Sequence, residues 1–150
     1  MGHALMENRS GLVTDGLVTR ATGTAERDAG WLMTLRREDG NHEITLGADK
    51  AYDTCEFVAD CRAMGVTTHA ARNTSGRRSA IPDAVAETEG YARSQVIRKR
   101  IEEVFGWLKA SAGMAKTKFR GRPRVDMSFR LGLAAYNLIR LPKLLAAVPP

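Results

Sequence analysis

The arrangement that most constrains the fold is a strand, a helix and a second strand between residues 42 and 71. The stretch "HEITLGA" is short and largely apolar, as expected of a strand inside a sheet, and "VTTHAA" indicates a second strand. Between them, "DTCEFVADCRAMG" indicates a helix that begins with Asp53 and Glu56 at the spacing of a capping box and ends at Gly65. Because further strands and a helix precede this unit, the order of elements predicts an α/β layer on a mixed sheet.

The amino-terminal segment supplies those earlier elements. "GHALMEN" and "LVTDGLVTRA" indicate short strands joined by a reversal over residues 8–11, and the pair Asp15-Gly16 predicts a tight turn or a bulge. A helix should follow, with Thr24 as its candidate N-cap, acidic residues near its positive end and "EDGN" at its close.

The second half of the chain predicts a loop and two helices. The polar stretch over about residues 72–90 has no periodicity, so we expect a loop or insertion there. The helix that is indicated most clearly is "YARSQVIRKRIEEVFGWLKASAG", which Gly113 can end. Its apolar face is formed by Ile97, Ile101, Val104 and Leu108. A last, largely apolar helix should run from about Asp126 to Leu141, because Pro142 stops it.

Charge is divided between the two halves of the chain. The chain has 150 residues, the size of one ordinary domain, and a net charge of +6. Residues 1–90 hold ten basic and fourteen acidic residues, whereas residues 91–150 hold thirteen basic and three acidic ones. A basic half of this kind is typical of proteins that meet phosphate. No lipid-facing aromatic stripe or long uncharged apolar segment accompanies it, so nucleic acid is favoured over a membrane, and a merely solvated surface is the alternative.

The cysteines and histidines indicate structural roles. Cys55 and Cys61 lie six residues apart on one predicted helix and face different directions, so they predict no disulfide and fit a reducing, cytoplasmic environment. His3, His42 and His69 are scattered, without the helical spacing of metal ligands. The sequence therefore predicts packing thiols and structural histidines.

The segment "KTKFRGRPR" is a candidate contact for a phosphate backbone. Every second residue is basic, namely Lys116, Lys118, Arg120, Arg122 and Arg124. Gly121 and Pro123 disfavour a helix, so we expect an extended segment with its bases along one side at intervals of about 6.6 Å. Such contacts confer affinity without reading the sequence, and a solvated loop is the alternative. Phe119 could stack on a base or pack within the protein.

Two acidic residues lie at positions where metal binding or catalysis could occur. Asp53 has a role as the cap of its helix, but Asp49 ends the preceding strand, where ligand crevices open in α/β sheets. Glu102 lies on a helical stripe beside the apolar one, so we expect it at the edge of the core rather than in solvent. If strand and helix pack together, Asp49 and Glu102 could share a divalent ion such as Mg²⁺. The alternatives are a surface or turn aspartate and an ordinary surface pair between Arg98 and Glu102.

Four stretches carry a resemblance to a known family. "LGADKAYD", "NTSGRRSAI", "RKRIEEVFGWLK" and "KTKFRGRPRV…AAYNLIRLPKLL" resemble the C-terminal part of bacterial insertion-sequence transposases of the DDE type. The most similar group is the large insertion-sequence-five family, and the resemblance covers nearly all of the chain. It implies a ribonuclease-H-like catalytic fold in which two Asp and one Glu hold two Mg²⁺ or Mn²⁺ ions. The implied reaction is cleavage and strand transfer of DNA at element ends and target.

The resemblance can be carried over residue by residue. Asp49 matches the second acid of the family, at the end of a sheet strand, and Glu102 matches the third, on a helix. The family's helix signature is Tyr, two residues, Arg, three residues, Glu, six residues, Lys, which Arg98, Glu102 and Lys109 fit. Gln95 stands in the place of the Tyr. The resemblance implies that Arg98 and Lys109 contact phosphate or orient Glu102.

The front of the chain departs from the family pattern. The first Asp of the family lies on a strand upstream of "MGHALMENRSGL", and Asp15, beside Gly16, is more consistent with a turn. We therefore expect an N-terminally truncated domain that lacks the first strand and shows little catalysis by itself. An uncovered sheet edge could pair with a second copy, giving a homo-oligomer. The alternative functions are a non-catalytic DNA-binding or transposase-inhibiting protein, or a pseudogene product.

Overall fold

Residues 1–37, 43–76 and 78–146 are described by the structure, which is a computed structural model. The strands are β1 (Gly2–Met6), β2 (Val13–Val18), β3 (Ile44–Ala48) and β4 (Val66–Ala70). The helices are α1 (Ala25–Leu35), α2 (Cys55–Ala63), α3 (Asp83–Ala86), α4 (Glu89–Ile97), α5 (Ile101–Ala110) and α6 (Arg122–Ala146). The predicted α/β class is confirmed.

The chain divides into two compact units. The terminal unit combines Met1–Ala25 with Arg100–Pro150, and the central unit comprises Glu26–Lys99. In the described residues each unit contains one two-stranded sheet, β1 with β2 and β3 with β4. The residues of β3 are half-buried or exposed, so the expectation of a strand buried inside a sheet is wrong.

The sheet of the terminal unit is an antiparallel hairpin. Leu5 pairs with Asp15 and Met6 pairs with Val13, so Thr14 is the additional residue of a bulge. Of the two alternatives predicted at Asp15-Gly16, the tight turn is wrong because both residues lie inside β2, and the bulge occurs one residue earlier. The predicted reversal over residues 8–11 is confirmed, and the Glu7 carboxylate accepts hydrogen bonds from the backbone N–H groups of Arg9 and Ser10 within it.

Helix α6 covers this hairpin and is joined to β2 by polar side chains. The Asn137 amide accepts from the Val13 N–H at 2.8 Å and donates to the Val13 carbonyl at 2.7 Å, while Asp126 accepts from the Val18 N–H at 2.7 Å. The core of the terminal unit consists of Val13, Val104, Leu108, Phe129, Leu133 and Tyr136. Gly16 permits the close approach, because a Cβ there would lie 2.2 Å from Leu133 Cδ1.

The sheet of the central unit is a parallel pair with α2 as its connection. Ile44 pairs with Val66 at one end and Ala48 with Ala70 at the other. Two apolar clusters pack on it, one with Phe57, Cys61 and Val66, the other with Val58, Ala70 and Ile81. Both cysteines are free thiols. Cys61 is fully buried, as predicted for a packing thiol, whereas Cys55 is exposed, so the packing role predicted for it is wrong.

The capping box predicted for α2 is wrong. Thr54 is the N-cap and its hydroxyl accepts from the Phe57 N–H at 3.3 Å. Asp53 is instead only 1% exposed, and its two carboxylate oxygens accept from the N–H groups of Asn73 and Ala80, each at 2.7 Å. The carboxylate is one residue too early to cap the helix and is directed to a distant segment.

Several of the other predicted helix limits differ in the structure. The long helix of residues 91–113 is interrupted by a 3₁₀ turn at Arg98–Arg100, and the stretch 72–90 contains the one-turn helix α3. Helix α6 begins at Arg122 rather than near Asp126 and continues beyond Pro142. Pro142 removes one hydrogen bond, to the carbonyl of Leu138 near an exposed helix end, where water can replace it. The "EDGN" close of α1 lies outside the described residues; α1 itself ends at Leu35.

Candidate active site

Asp49 follows β3 at the carboxyl end of the parallel pair and is exposed. Its Oδ1 accepts from the Ala51 N–H at 2.7 Å and caps the 3₁₀ turn Lys50–Tyr52. Asp49 thus has the capping role that the sequence assigned to Asp53. An ionised carboxylate has two oxygens with about four acceptor positions, so this one bond leaves capacity for a cation.

Tyr52 fixes the turn that follows Asp49. Its hydroxyl donates to the Glu26 carbonyl at 3.1 Å, and its ring packs edge-on against Phe57 with centroids 5.1 Å apart. Burial, together with the negative charges of Glu26 and Asp49, raises the pKa of Tyr52 to about 12. Tyr52 therefore stays neutral near pH 7 and acts as a packed anchor of the Asp49 turn.

Helix α4 is anchored to β4 by three hydrogen bonds. The Tyr91 hydroxyl donates to the Ala70 carbonyl at 3.0 Å, Gln95 Nε2 donates to the His69 carbonyl at 2.8 Å, and His69 Nδ1 lies 2.8 Å from Ser94 Oγ. Burial lowers the pKa of His69, which favours the neutral ring. The structural role predicted for this histidine fits these contacts.

Gln95 also holds Arg98. The Arg98 Nε donates to Gln95 Oε1 at 3.1 Å, so one amide joins the guanidinium to the backbone of β4. Arg98 is half-buried, and a Cβ on Gly47 would lie 3.4 Å from Arg98 Cβ. Gln95 therefore both anchors α4 to β4 and holds the Arg98 side chain. Sequence reasoning missed this role, although the i, i+3 spacing of Gln95 and Arg98 was a signal for it.

Glu102 is the second residue of α5 and is exposed. The expectation that it lies at the edge of the core is wrong, because the buried face of α5 is formed by Val104 and Leu108. An acid in the first turn of a helix is favoured by the helix dipole. Lys109 is exposed in the last turn of the same helix. Asp49 and Arg98 belong to the central unit, and Glu102 and Lys109 to the terminal unit.

The basic segment is exposed but not uniformly extended. Lys116, Lys118 and Arg120 lie outside regular structure, whereas Arg122 and Arg124 are in the first turn of α6. The extended strip predicted from the sequence is therefore wrong beyond Gly121, which has φ +88° and accepts from the Val125 N–H at 3.2 Å. Pro123 is compatible with this helix because the first turn needs no intrahelical N–H donor.

The chain matches the family model described as the transposase DDE domain over residues 1–138. The chain belongs to this family. Comparison with curated proteins and with solved structures gives no match. The predicted DDE-type family is thus confirmed, and the insertion-sequence-five group stays a prediction.

Membership in the transposase DDE family implies transposition as the process and DNA as the partner. Members of the family generally use divalent metal ions. Carboxylate oxygens are the ligands that Mg²⁺ prefers, so the donor chemistry of the two exposed acids, Asp49 and Glu102, fits such an ion. Within residues 1–37, 43–76 and 78–146 there is no group of three or more His, Cys, Asp or Glu side chains that could hold a metal. None of the described helices has the length and apolarity needed to cross a membrane.

Proposed function

We propose that this protein contributes the metal-dependent cleavage and transfer of DNA strands at the ends of an insertion sequence. The family match over residues 1–138 carries this proposal. It is supported by two exposed acids, Asp49 and Glu102, which the resemblance matches to the second and third acids of the family. The proposal includes a ribonuclease-H-like fold and the insertion-sequence-five group as the specific relatives.

In this proposal Asp49 and Glu102 are metal ligands. A bound Mg²⁺ or Mn²⁺ would activate the attacking water and stabilise the leaving oxygen of the phosphodiester. Asp49 is oriented by the turn it caps, and that turn is anchored through Tyr52 and Glu26. The exposure of both carboxylates leaves them accessible to an ion and to a phosphate.

The basic residues would bind the substrate. Arg98 is restrained by Gln95, so its guanidinium can contact phosphate at a smaller entropic cost than a free side chain. Lys109 and the basic segment add exposed positive charge. The members of this proposed DNA-binding set are Arg98, Lys109, Lys116, Lys118, Arg120, Arg122 and Arg124. Contacts of this kind neutralise phosphates and make the affinity depend on salt.

The first test is the nicking of supercoiled plasmid by the whole chain, for which we expect a low rate, with Mg²⁺, with Mn²⁺ and with the metal chelated. Asp49→Asn and Glu102→Gln should each lower metal-dependent nicking by roughly a hundredfold, because a displaced ion loses the reacting geometry. They should also weaken the binding of Mn²⁺, which electron paramagnetic resonance measures without catalysis. Matched exposed controls are Asp60→Asn and Glu103→Gln, which should change neither quantity.

A second candidate function, favoured by the five exposed bases between residues 116 and 124, is DNA binding without catalysis. It predicts DNA affinity that is unchanged by Asp49→Asn and Glu102→Gln. Replacing Lys118 and Arg120 by Gln should lower the slope of log K against log salt concentration by about 0.9 for each phosphate that the protein no longer neutralises. If the whole chain shows neither metal-dependent nicking nor Mn²⁺ binding while this slope falls, the second candidate is the better account.

A further inference from the structure

Phe119 is an exposed aromatic ring inside the basic segment. It is 52% exposed, whereas Phe57 and Phe129 are 3% and 5% exposed in their cores. Phe105 also packs, with its ring centroid 6.3 Å from that of Phe129. Of the two roles open to Phe119, packing within the protein is therefore the less favoured, because half of the ring forgoes the free energy of burial.

The loop that carries Phe119 is held at both ends. Gly113 (φ +67°) follows α5, and the Met114 N–H donates to the Leu108 carbonyl at 3.0 Å. At the other end Gly121 (φ +88°) leads into α6. Both glycines adopt a backbone conformation that other residues rarely enter, so the loop is bent at two defined points. Its side chains are consequently presented from a short, restrained segment.

A shallow cavity adjoins the ring. It has a volume of about 90 Å³ and is lined by Met114, Lys116, Lys118, Phe119, Val125 and Ser128, among others. Sites for drug-sized ligands usually enclose roughly 300–1,000 Å³, so this cavity is too small to enclose such a ligand. An open ring face beside a shallow depression lined by both polar and apolar groups is instead suited to a flat group that stacks on the ring.

The charge around Phe119 indicates the chemistry of that flat group. Residues 104–125 contain no acid and six basic residues, so an anionic partner is favoured. Within residues 116–124 the ring is the one large exposed apolar side chain, and the five basic residues of this segment are exposed around it in sequence. An aromatic side chain between bases is the arrangement with which proteins bind single-stranded nucleic acid, through stacking and phosphate contacts together.

We propose that Phe119 is the stacking site for an unpaired DNA base, with Lys116, Lys118 and Arg120 contacting the adjoining phosphates. This proposal rests on the DNA-binding part of the proposed function. The proposal names a further ligand, an unpaired base, which phosphate contacts alone would not bind selectively. Stacking is tolerant of sequence because every base has a π-face.

The test compares two labelled oligonucleotides, a 12-nucleotide oligothymidine and an abasic strand of equal length and charge, by fluorescence anisotropy with the whole chain. The wild type should bind oligothymidine more tightly than the abasic strand. Phe119→Ala should weaken oligothymidine binding by about five- to 150-fold and leave abasic binding unchanged. Phe119→Trp should retain the preference, since it keeps an aromatic face.

Leu138→Ala is the matched control, because Leu138 is 67% exposed on α6 and carries no proposed role. It should change neither affinity, and thermal melts should show that all variants are folded. Equal affinity of the wild type for both strands, or an equal loss on both in Phe119→Ala, would overturn the stacking site while leaving phosphate binding intact. No binding to either strand or to duplex DNA would overturn the proposed DNA binding as well, so the two failures are distinguishable.

Discussion

The terminal and central units hold their sheets together in different ways. In the terminal unit, β2 is bonded to a helix far along the chain, and Asn137 pairs with Val13 across 124 positions. In the central unit, β3, α2 and β4 follow one another within residues 44–70, and a buried carboxylate fastens the next loop. The comparison teaches that the central unit depends on a polar tie from Asp53 across 20 and 27 positions, and the terminal unit on helix α6, which is hydrogen-bonded to β2 and fits closely against Gly16.

The two units also differ in charge. The terminal unit has twelve basic and five acidic residues, whereas the central unit has eleven basic and twelve acidic ones. In the central unit Asp49 and Asp53 both accept backbone hydrogen bonds, so these acids shape loops. In the terminal unit the cations of the basic segment are exposed. The terminal unit therefore has the larger excess of positive charge for contact with a phosphate backbone.

The largest expected effect comes from removing the hydrogen bonds of Asp53, which are the polar tie of the central unit. Asp53→Ala leaves the N–H groups of Asn73 and Ala80 without their acceptor, which should lower the free energy of unfolding by about 3 kcal/mol. Urea denaturation followed by circular dichroism measures this. Asp60→Ala, at an exposed position of α2, should stay within about 0.5 kcal/mol. Equal small losses in both variants would show that the tie is not what stabilises this unit.

The next effect tests the steric fit of the terminal unit. In Gly16→Ala the added Cβ would clash with Leu133 Cδ1 and lie 3.2 Å from the His3 carbonyl oxygen, so the buried Leu133 side chain must repack and β1 must move slightly. Overpacking of this kind should cost about 2 kcal/mol of unfolding free energy. Gly106→Ala is the opposite-sign control, because nothing lies within 4 Å of its Cβ position in α5. It should stabilise the protein by up to about 1 kcal/mol. Chemical denaturation of the two variants side by side decides the matter, and destabilisation by both would argue against a specific fit.

The smallest effect concerns the link between α4 and β4. Gln95→Ala should free Arg98, and the double-mutant cycle with Arg98→Ala should give a coupling of about 1 kcal/mol in the free energy of DNA binding. Gln95→Glu keeps an acceptor for Arg98 but removes the donor to the His69 carbonyl, so it should retain part of the coupling with Arg98. The affinities of the wild type, the two single variants and the double variant for duplex DNA, measured by fluorescence anisotropy, complete the cycle. A coupling near zero would mean that Gln95 anchors α4 without positioning Arg98.

The residues of the candidate site stay a prediction, whereas the contacts expected for them can be compared with the structure. Asp49 and Glu102 are recognisable from short motifs, and both prove to be exposed acids. The cap of α2 was predicted at Asp53, whereas Thr54 caps that helix and the Asp53 carboxylate accepts from the N–H groups of Asn73 and Ala80. Gln95 was recognisable as a departure from the family signature, but its partners on β4 come from another element.

By itself, the sequence determined the alternation of strands and helices, the α/β class, the basic character of the second half and the transposase DDE family. These follow from periodicity, turn residues, composition and motifs, which are properties of short segments. Tertiary structure alone decided which aspartate caps and which is buried, the break at Arg98–Arg100 and the early start of α6. Those outcomes depend on groups far apart in the chain, such as Asp126 with Val18 and Asn137 with Val13, whose hydrogen bonds exist only once the helix lies on the strand.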